Sequence, residues 1–108
     1  DVIEKVLLRS GLRYRRSETV ASDVAKRLAA GDIFCFFQHK MEFGPRALGA
    51  RSIIADPRST SVKDRANALK TRQSWRPFGP SVLAGHEADY FEEAFDTRFM
   101  LFTQRIKA

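Results

Sequence analysis

Two arginines, Arg46 and Arg51, stand on either side of a turn assembled from Gly44, Pro45 and Gly49. A guanidinium presents paired N–H donors that fit a phosphate or a carboxylate, a fork that lysine cannot reproduce. The glycines let backbone amides approach an anion, and Pro45 is expected to open a short helix whose positive end faces it. Lys40 precedes this stretch and Ser52 follows it. A second basic group lies further on: Arg72 precedes Trp75–Pro80, a loop that contains Arg76 and is stiffened by two prolines and a glycine, and Ser81 follows that loop. Lys63, Asn67 and Lys70 share one face of the helix predicted just before it. Two basic loops, each stiffened by Gly and Pro, suit a pocket for a small phosphorylated anion better than a flat charged surface. The plain alternative, turns carrying solvated arginines, stays open on these residues alone.

The charge balance points to the same window. The chain carries a net charge of +6, and between Lys40 and Arg76 nine Lys or Arg face three acids, Glu42, Asp56 and Asp64. Outside that window ten basic residues face ten acidic ones, so the whole excess sits in one third of the chain. A general solubility role does not require such concentration. Hydrophobic residues at 44% and charged residues at 30% exclude a disordered chain. No run approaches the roughly 20 apolar residues of a bilayer span, and the N-terminal residues show no signal-peptide pattern. No membrane role and a cytoplasmic location are therefore expected.

Other chemistries are poorly supplied. His39 and His86 have no Cys or carboxylate at metal-ligand spacing, so no metal site is predicted. No Walker-type phosphate loop and no GxGxxG occurs, and neither Ser52 nor Ser81 has a triad around it. No catalytic residue is assigned. Glu42 and Asp56 read as acid or base candidates, or as partners that neutralise a neighbouring arginine. The single cysteine, Cys35, lies within the apolar run Ile33–Phe37 and reads as a buried small hydrophobe.

The elements that must position these residues read as α+β, with an α/β-type mixed sheet. Helices are predicted over 2–10 and 19–30, the second ending at Gly31. Ile33–Phe37 reads as a strand covered on both faces, and Ser52–Ala55, Ser81–Leu83 and Phe99–Phe102 as further strands of one sheet. Ser61 with Asp64 suggests a capping box opening a helix through about Thr71, with Val62, Ala66 and Leu69 as its apolar face. Another helix is predicted over 86–94. Residues 1–108 form a single segment whose ends lack Pro/Gly punctuation, which suggests a piece of a larger domain.

The run Met41-Glu42-Phe43-Gly44-Pro45-Arg46-Ala47-Leu48-Gly49-Ala50-Arg51-Ser52-Ile53 is followed by Ala55-Asp56-Pro57-Arg58, then Lys63-Asp64 and Asn67. Arg76-Pro77-Phe78-Gly79-Pro80-Ser81-Val82-Leu83 and Tyr90-Phe91 come next. In order and spacing these motifs resemble the C-terminal region of the NodU/CmcH-type O-carbamoyltransferases, densely from Phe36 to about Phe91. The resemblance implies an incomplete YrdC-like domain that binds carbamoyl phosphate and ATP with Mg²⁺ and forms carbamoyl adenylate. It also implies a partner outside this chain: an N-terminal actin-like domain that holds the transfer-site metal and the hydroxyl acceptor. Lys40 and Arg46 are the positions implied to meet carbamoyl phosphate, with Arg51, Ser52, Arg72, Arg76 and Ser81 as further substrate-binding residues. On this reading the chain is a carbamoyltransferase fragment, inactive alone. It departs from the family pattern at four positions: His39 stands where glycine is common, Ala50 for asparagine, Gln73 for glutamate and Gly79 for alanine. Ala50 removes a polar contact near the site.

Two rival functions fit the same charge. A nucleic-acid or polyanion-binding module without catalysis fits a pI of about 10.0. It needs aromatics interleaved with the cations, and only Trp75 and Phe78 stand near the basic patch. A docking segment whose arginines meet acids of the missing domain is the other.

Overall fold

A computed structural model describes all residues, 1–108. Six elements follow one another: α1 Val2–Arg9, α2 Val20–Ala29, β1 Ile33–Phe37, β2 Arg51–Ala55, α3 Thr60–Leu69 and α4 Glu87–Tyr90. Asp1 caps α1 by accepting the Ile3 amide at 3.0 Å, satisfying one of the free N–H groups of the first turn. Ala30 caps α2, and Gly31 turns the chain at φ +95°, a conformation that costs a residue with Cβ. The chain then enters β1.

β1 and β2 pair antiparallel with Ile33 opposite Ala55, Cys35 opposite Ile53 and Phe37 opposite Arg51. The α+β class holds, with one two-stranded antiparallel sheet in place of the expected four-stranded mixed one. Ser81–Leu83 and Phe99–Phe102 are not strands. A short apolar run has strand propensity, but a strand needs a partner, and these runs find none. The last pairing in the chain is a single antiparallel bridge, Phe91 with Ile106, where the Glu92 amide donates to Arg105 at 3.0 Å and the Lys107 amide to Tyr90 at 2.8 Å.

Several local expectations are corrected. β1 is not covered on both faces: Phe37 is 77% exposed, and Cys35 is exposed rather than buried. α2 packs beside β1, with Val24 and Leu28 half-buried, while the outer half of the strand stays open. No capping box forms at α3. Its N-cap is Ser59, whose hydroxyl meets that of Ser61 at 2.8 Å instead of a backbone amide. The helix predicted over 86–94 is one turn, Glu87–Tyr90.

The buried residues are Val62, Ala66 and Asn67, all on α3. Val62 and Ala66 are four apart and so share a face. Leu69, expected beside them, is exposed. Asn67, expected to project with Lys63 and Lys70, is instead the most buried side chain, 1% exposed. A buried amide needs partners, and the Asn67 Nδ2 donates to the carbonyls of Ser74 at 3.0 Å and Arg76 at 3.1 Å. α3 is therefore pinned to the loop that follows it.

Candidate functional site

The segment between β1 and β2 contains no helix at Pro45; residues 41–50 run as bends and irregular backbone. Gly44 and Gly49 adopt φ +111° and +110°, values that glycine takes without steric cost. Glu42 replaces the expected helix as the organiser of this loop. Its Oε1 accepts the amides of Leu48 at 2.8 Å and Ala50 at 3.0 Å, and Ser52 Oγ accepts the amide of Gly49 at 3.0 Å. Three successive amides thus turn toward side-chain oxygens rather than toward a ligand.

Arg51 closes the same loop from the other side. Its Nη1 donates to the carbonyls of Gln38 at 2.6 Å and Ala50 at 2.7 Å, and its Nη2 to His39 at 3.3 Å. The guanidinium carbon stands 3.4 Å above the Phe37 ring, adding a cation–π contact. Arg51 joins the two ends of the loop at the mouth of the β pair. Gln38 helps, its Nε2 donating to Gly49 at 3.0 Å.

Inside this frame lies a hollow of about 210 Å³ lined by Met41, Glu42, Gly44, Pro45, Arg46, Ala47 and Arg51. Arg46 is exposed and makes no ion pair or side-chain hydrogen bond within the chain, and Lys40, next to Met41, is equally unpaired. Of the predicted residues, the hollow brings together Arg46 and Arg51. Ser52 lies behind it as the Gly49 acceptor.

Arg72, Arg76 and Ser81 belong to the loop after α3 and do not line the hollow. Arg72 Nε donates to the Asn67 Oδ1, its Nη2 reaches the Pro77 carbonyl at 3.2 Å, and its guanidinium lies 4.1 Å from the Phe78 ring centre. Arg76 and Ser81 are exposed. Asp56 follows one of its expected alternatives and neutralises an arginine: Arg58 donates to it through Nε at 2.9 and 2.8 Å and through its backbone amide at 2.9 Å. Hydrogen bonding to the Arg58 side chain, then its amide, holds the Asp56 carboxyl down at about 2. Asp96 and Arg98 repeat the same clasp two residues apart, with the same downward effect on the carboxyl. No three His, Cys, Asp or Glu side chains come together as metal ligands.

The ordered series of Gly-Pro-Arg, Asp-Pro-Arg and Arg-Pro-Phe-Gly-Pro motifs now sits on defined loops. The family described as carbamoyltransferase C-terminus matches residues 25–108, most of the chain and all of the hollow. The chain belongs to the carbamoyltransferase C-terminal family.

Membership bears out the resemblance to the NodU/CmcH-type enzymes. Nodulation protein NolO of Bradyrhizobium diazoefficiens is 46% identical over 100 residues, covering 89% of this chain and 18% of that protein. An uncharacterized protein of Synechocystis is 46% identical over 95 residues, or 87% of this chain and 15% of its own length. The 3'-hydroxymethylcephem-O-carbamoyltransferase of Streptomyces clavuligerus is 36% identical over 95 residues, covering 85% and 18%. The chain thus spans under one fifth of the length of these relatives. The family is enzymatic, and its members include a named O-carbamoyltransferase.

Sequence reasoning missed Glu42 as the loop organiser and Asn67 as the buried anchor. The signal for Glu42 was present in the glycines at 44 and 49, whose positive φ lets the loop bend so that nearby amides turn toward it.

Proposed function

We propose that the hollow at Gly44-Pro45-Arg46 takes the phosphate of carbamoyl phosphate, within a carbamoyltransferase that joins carbamoyl phosphate and ATP into carbamoyl adenylate. The observation that carries this reading is the division among the basic side chains. Arg51 and Arg72 are committed to backbone carbonyls, whereas Arg46, on the hollow, and Lys40, beside it, keep all their donors free. Free donors on a loop already braced by Glu42 and Ser52 suit an incoming anion, because no internal ion pair has to break as charge arrives.

A volume of about 210 Å³ suits a molecule of the size of carbamoyl phosphate rather than a whole nucleotide. ATP would need further surface, and the exposed Arg76 and Ser81 on the next loop are this chain's candidates for it. Mg²⁺ would be held chiefly by the phosphates it accompanies, and its chemistry is to neutralise phosphate charge. On this reading the domain is YrdC-like, and the acceptor hydroxyl and its metal belong to the actin-like remainder of the full-length protein.

The test is calorimetric titration of the full-length protein with carbamoyl phosphate and with ATP. Arg46→Lys keeps the charge but loses the two-pronged contact, so carbamoyl phosphate binding should weaken by about 1–3 kcal/mol. Arg105→Ala, outside the basic window, should change nothing. Equal affinities in the two variants would move the site elsewhere. Binding that disappears at moderate salt would favour a diffuse polyanion-binding surface instead.

A further inference from the structure

Glu42 is the acidic member of a hollow that otherwise offers cations. Its two carboxylate oxygens have unlike surroundings. Oε1 is fully engaged by the Leu48 and Ala50 amides. Oε2 is shielded from solvent and meets no donor within the chain. Buried acceptors are normally satisfied, so one without a partner in a residue that lines a hollow calls for a donor that the chain itself does not supply. No arginine supplies it, since Arg51 is turned to the Gln38, His39 and Ala50 carbonyls and Arg46 is unpaired.

A carboxylate next to a phosphate is repulsive if it faces phosphoryl oxygens. It becomes favourable only where the ligand turns an N–H toward it. Carbamoyl phosphate has such an end: an uncharged NH₂ with two N–H donors on a carbonyl joined to the phosphate through an anhydride oxygen. We propose that Glu42 Oε2 accepts an N–H of the carbamoyl group while Arg46 holds the phosphate, so that this pair fixes the ligand's direction and selects carbamoyl over acyl phosphates. The inference rests on the reading of the hollow as a carbamoyl phosphate site. Glu42 is then a specificity-determining residue, in addition to its part in bracing the loop.

Glu42→Gln separates the two tasks. The amide oxygen of glutamine can still accept from Leu48 and Ala50, but its nitrogen replaces the open acceptor with a donor that opposes the ligand N–H. In the full-length protein, Glu42→Gln should weaken carbamoyl phosphate binding by about tenfold or more, as expected for a lost charge-assisted hydrogen bond. Acetyl phosphate carries a methyl group in place of the NH₂, so its binding should stay unchanged or improve. The amide resonances of Leu48 and Ala50 report whether the brace survives. Equal loss of both ligands would make Glu42 a loop brace alone and overturn the proposal, as would an unchanged preference for carbamoyl phosphate. If wild type binds acetyl and carbamoyl phosphate alike, the hollow is a phosphate site without this selectivity. If it binds neither, the reading of the hollow itself fails and this inference with it.

Discussion

Arginine is put to different uses in this chain, and composition alone does not separate them. Arg51 and Arg72 each reach backbone carbonyls and cover an aromatic ring, Phe37 and Phe78, so their role is to fasten loops. Arg46 does neither. A similar distinction explains His39, which adopts φ +52° beside the hollow. That is left-handed backbone, where Cβ crowds the following carbonyl and glycine escapes the cost. Glycine would take this backbone conformation without that cost. His39→Gly should therefore stabilise the chain, by up to about 1 kcal/mol once the extra freedom of unfolded glycine is deducted. A urea midpoint unchanged or lowered by the substitution would show that the imidazole has a compensating contact. The residue types of the site were legible in the sequence because Gly, Pro and Arg carry local information. Which arginine was free was not, since that depends on the carbonyls of Gln38 and Pro77 coming within reach.

At the level of elements, the reading succeeded where the signal was periodic or punctuated. Both N-terminal helices, β1, β2 and α3 lie close to where pattern and glycine placed them. It failed where an apolar run needed a distant partner, as at Ser81–Leu83 and Phe99–Phe102, because pairing is a property of two segments. It failed again at Pro45, where proline at a first helical position was read as a helix start. Two glycines at positive φ and the Glu42 carboxylate stabilise a bend there instead. Asn67 shows how strongly one side chain can tie an element to a loop. Asn67→Ala would leave the Ser74 and Arg76 carbonyls without their donor and the Arg72 Nε without its acceptor. A loss of about 2–3 kcal/mol in urea unfolding is expected, against under about 0.5 kcal/mol for the neighbouring exposed Lys63→Ala. Similar values for the two would remove Asn67 as the anchor of the loop.

The whole molecule is extended for its length. Its radius of gyration is 16.2 Å and its extents are 48 × 28 × 28 Å. A compact domain of about 100 residues has a radius near 13 Å. Large apolar side chains remain open along much of the surface, among them Phe37, Met41, Phe43, Trp75, Phe99, Leu101 and Phe102. No helix is long and apolar enough to cross a membrane, so a bilayer-spanning helix is not the reason for this exposure. Apolar surface on this scale, with both outer edges of the β pair unpaired, favours association with other apolar surface. Studied alone, the chain should bind a hydrophobic dye and sediment as a concentration-dependent mixture of species. A strict monomer without dye binding would mean that these side chains find cover within the chain. The same openness gives Cys35 a use beyond packing. It is the sole thiol, it sits mid-strand opposite Ile53, and it is accessible. A maleimide fluorophore or nitroxide would attach at that one sulfur without any engineered cysteine. The unaltered chain thus carries its own attachment point for a spectroscopic ruler, on the strand that leads directly into the Lys40–Arg51 loop.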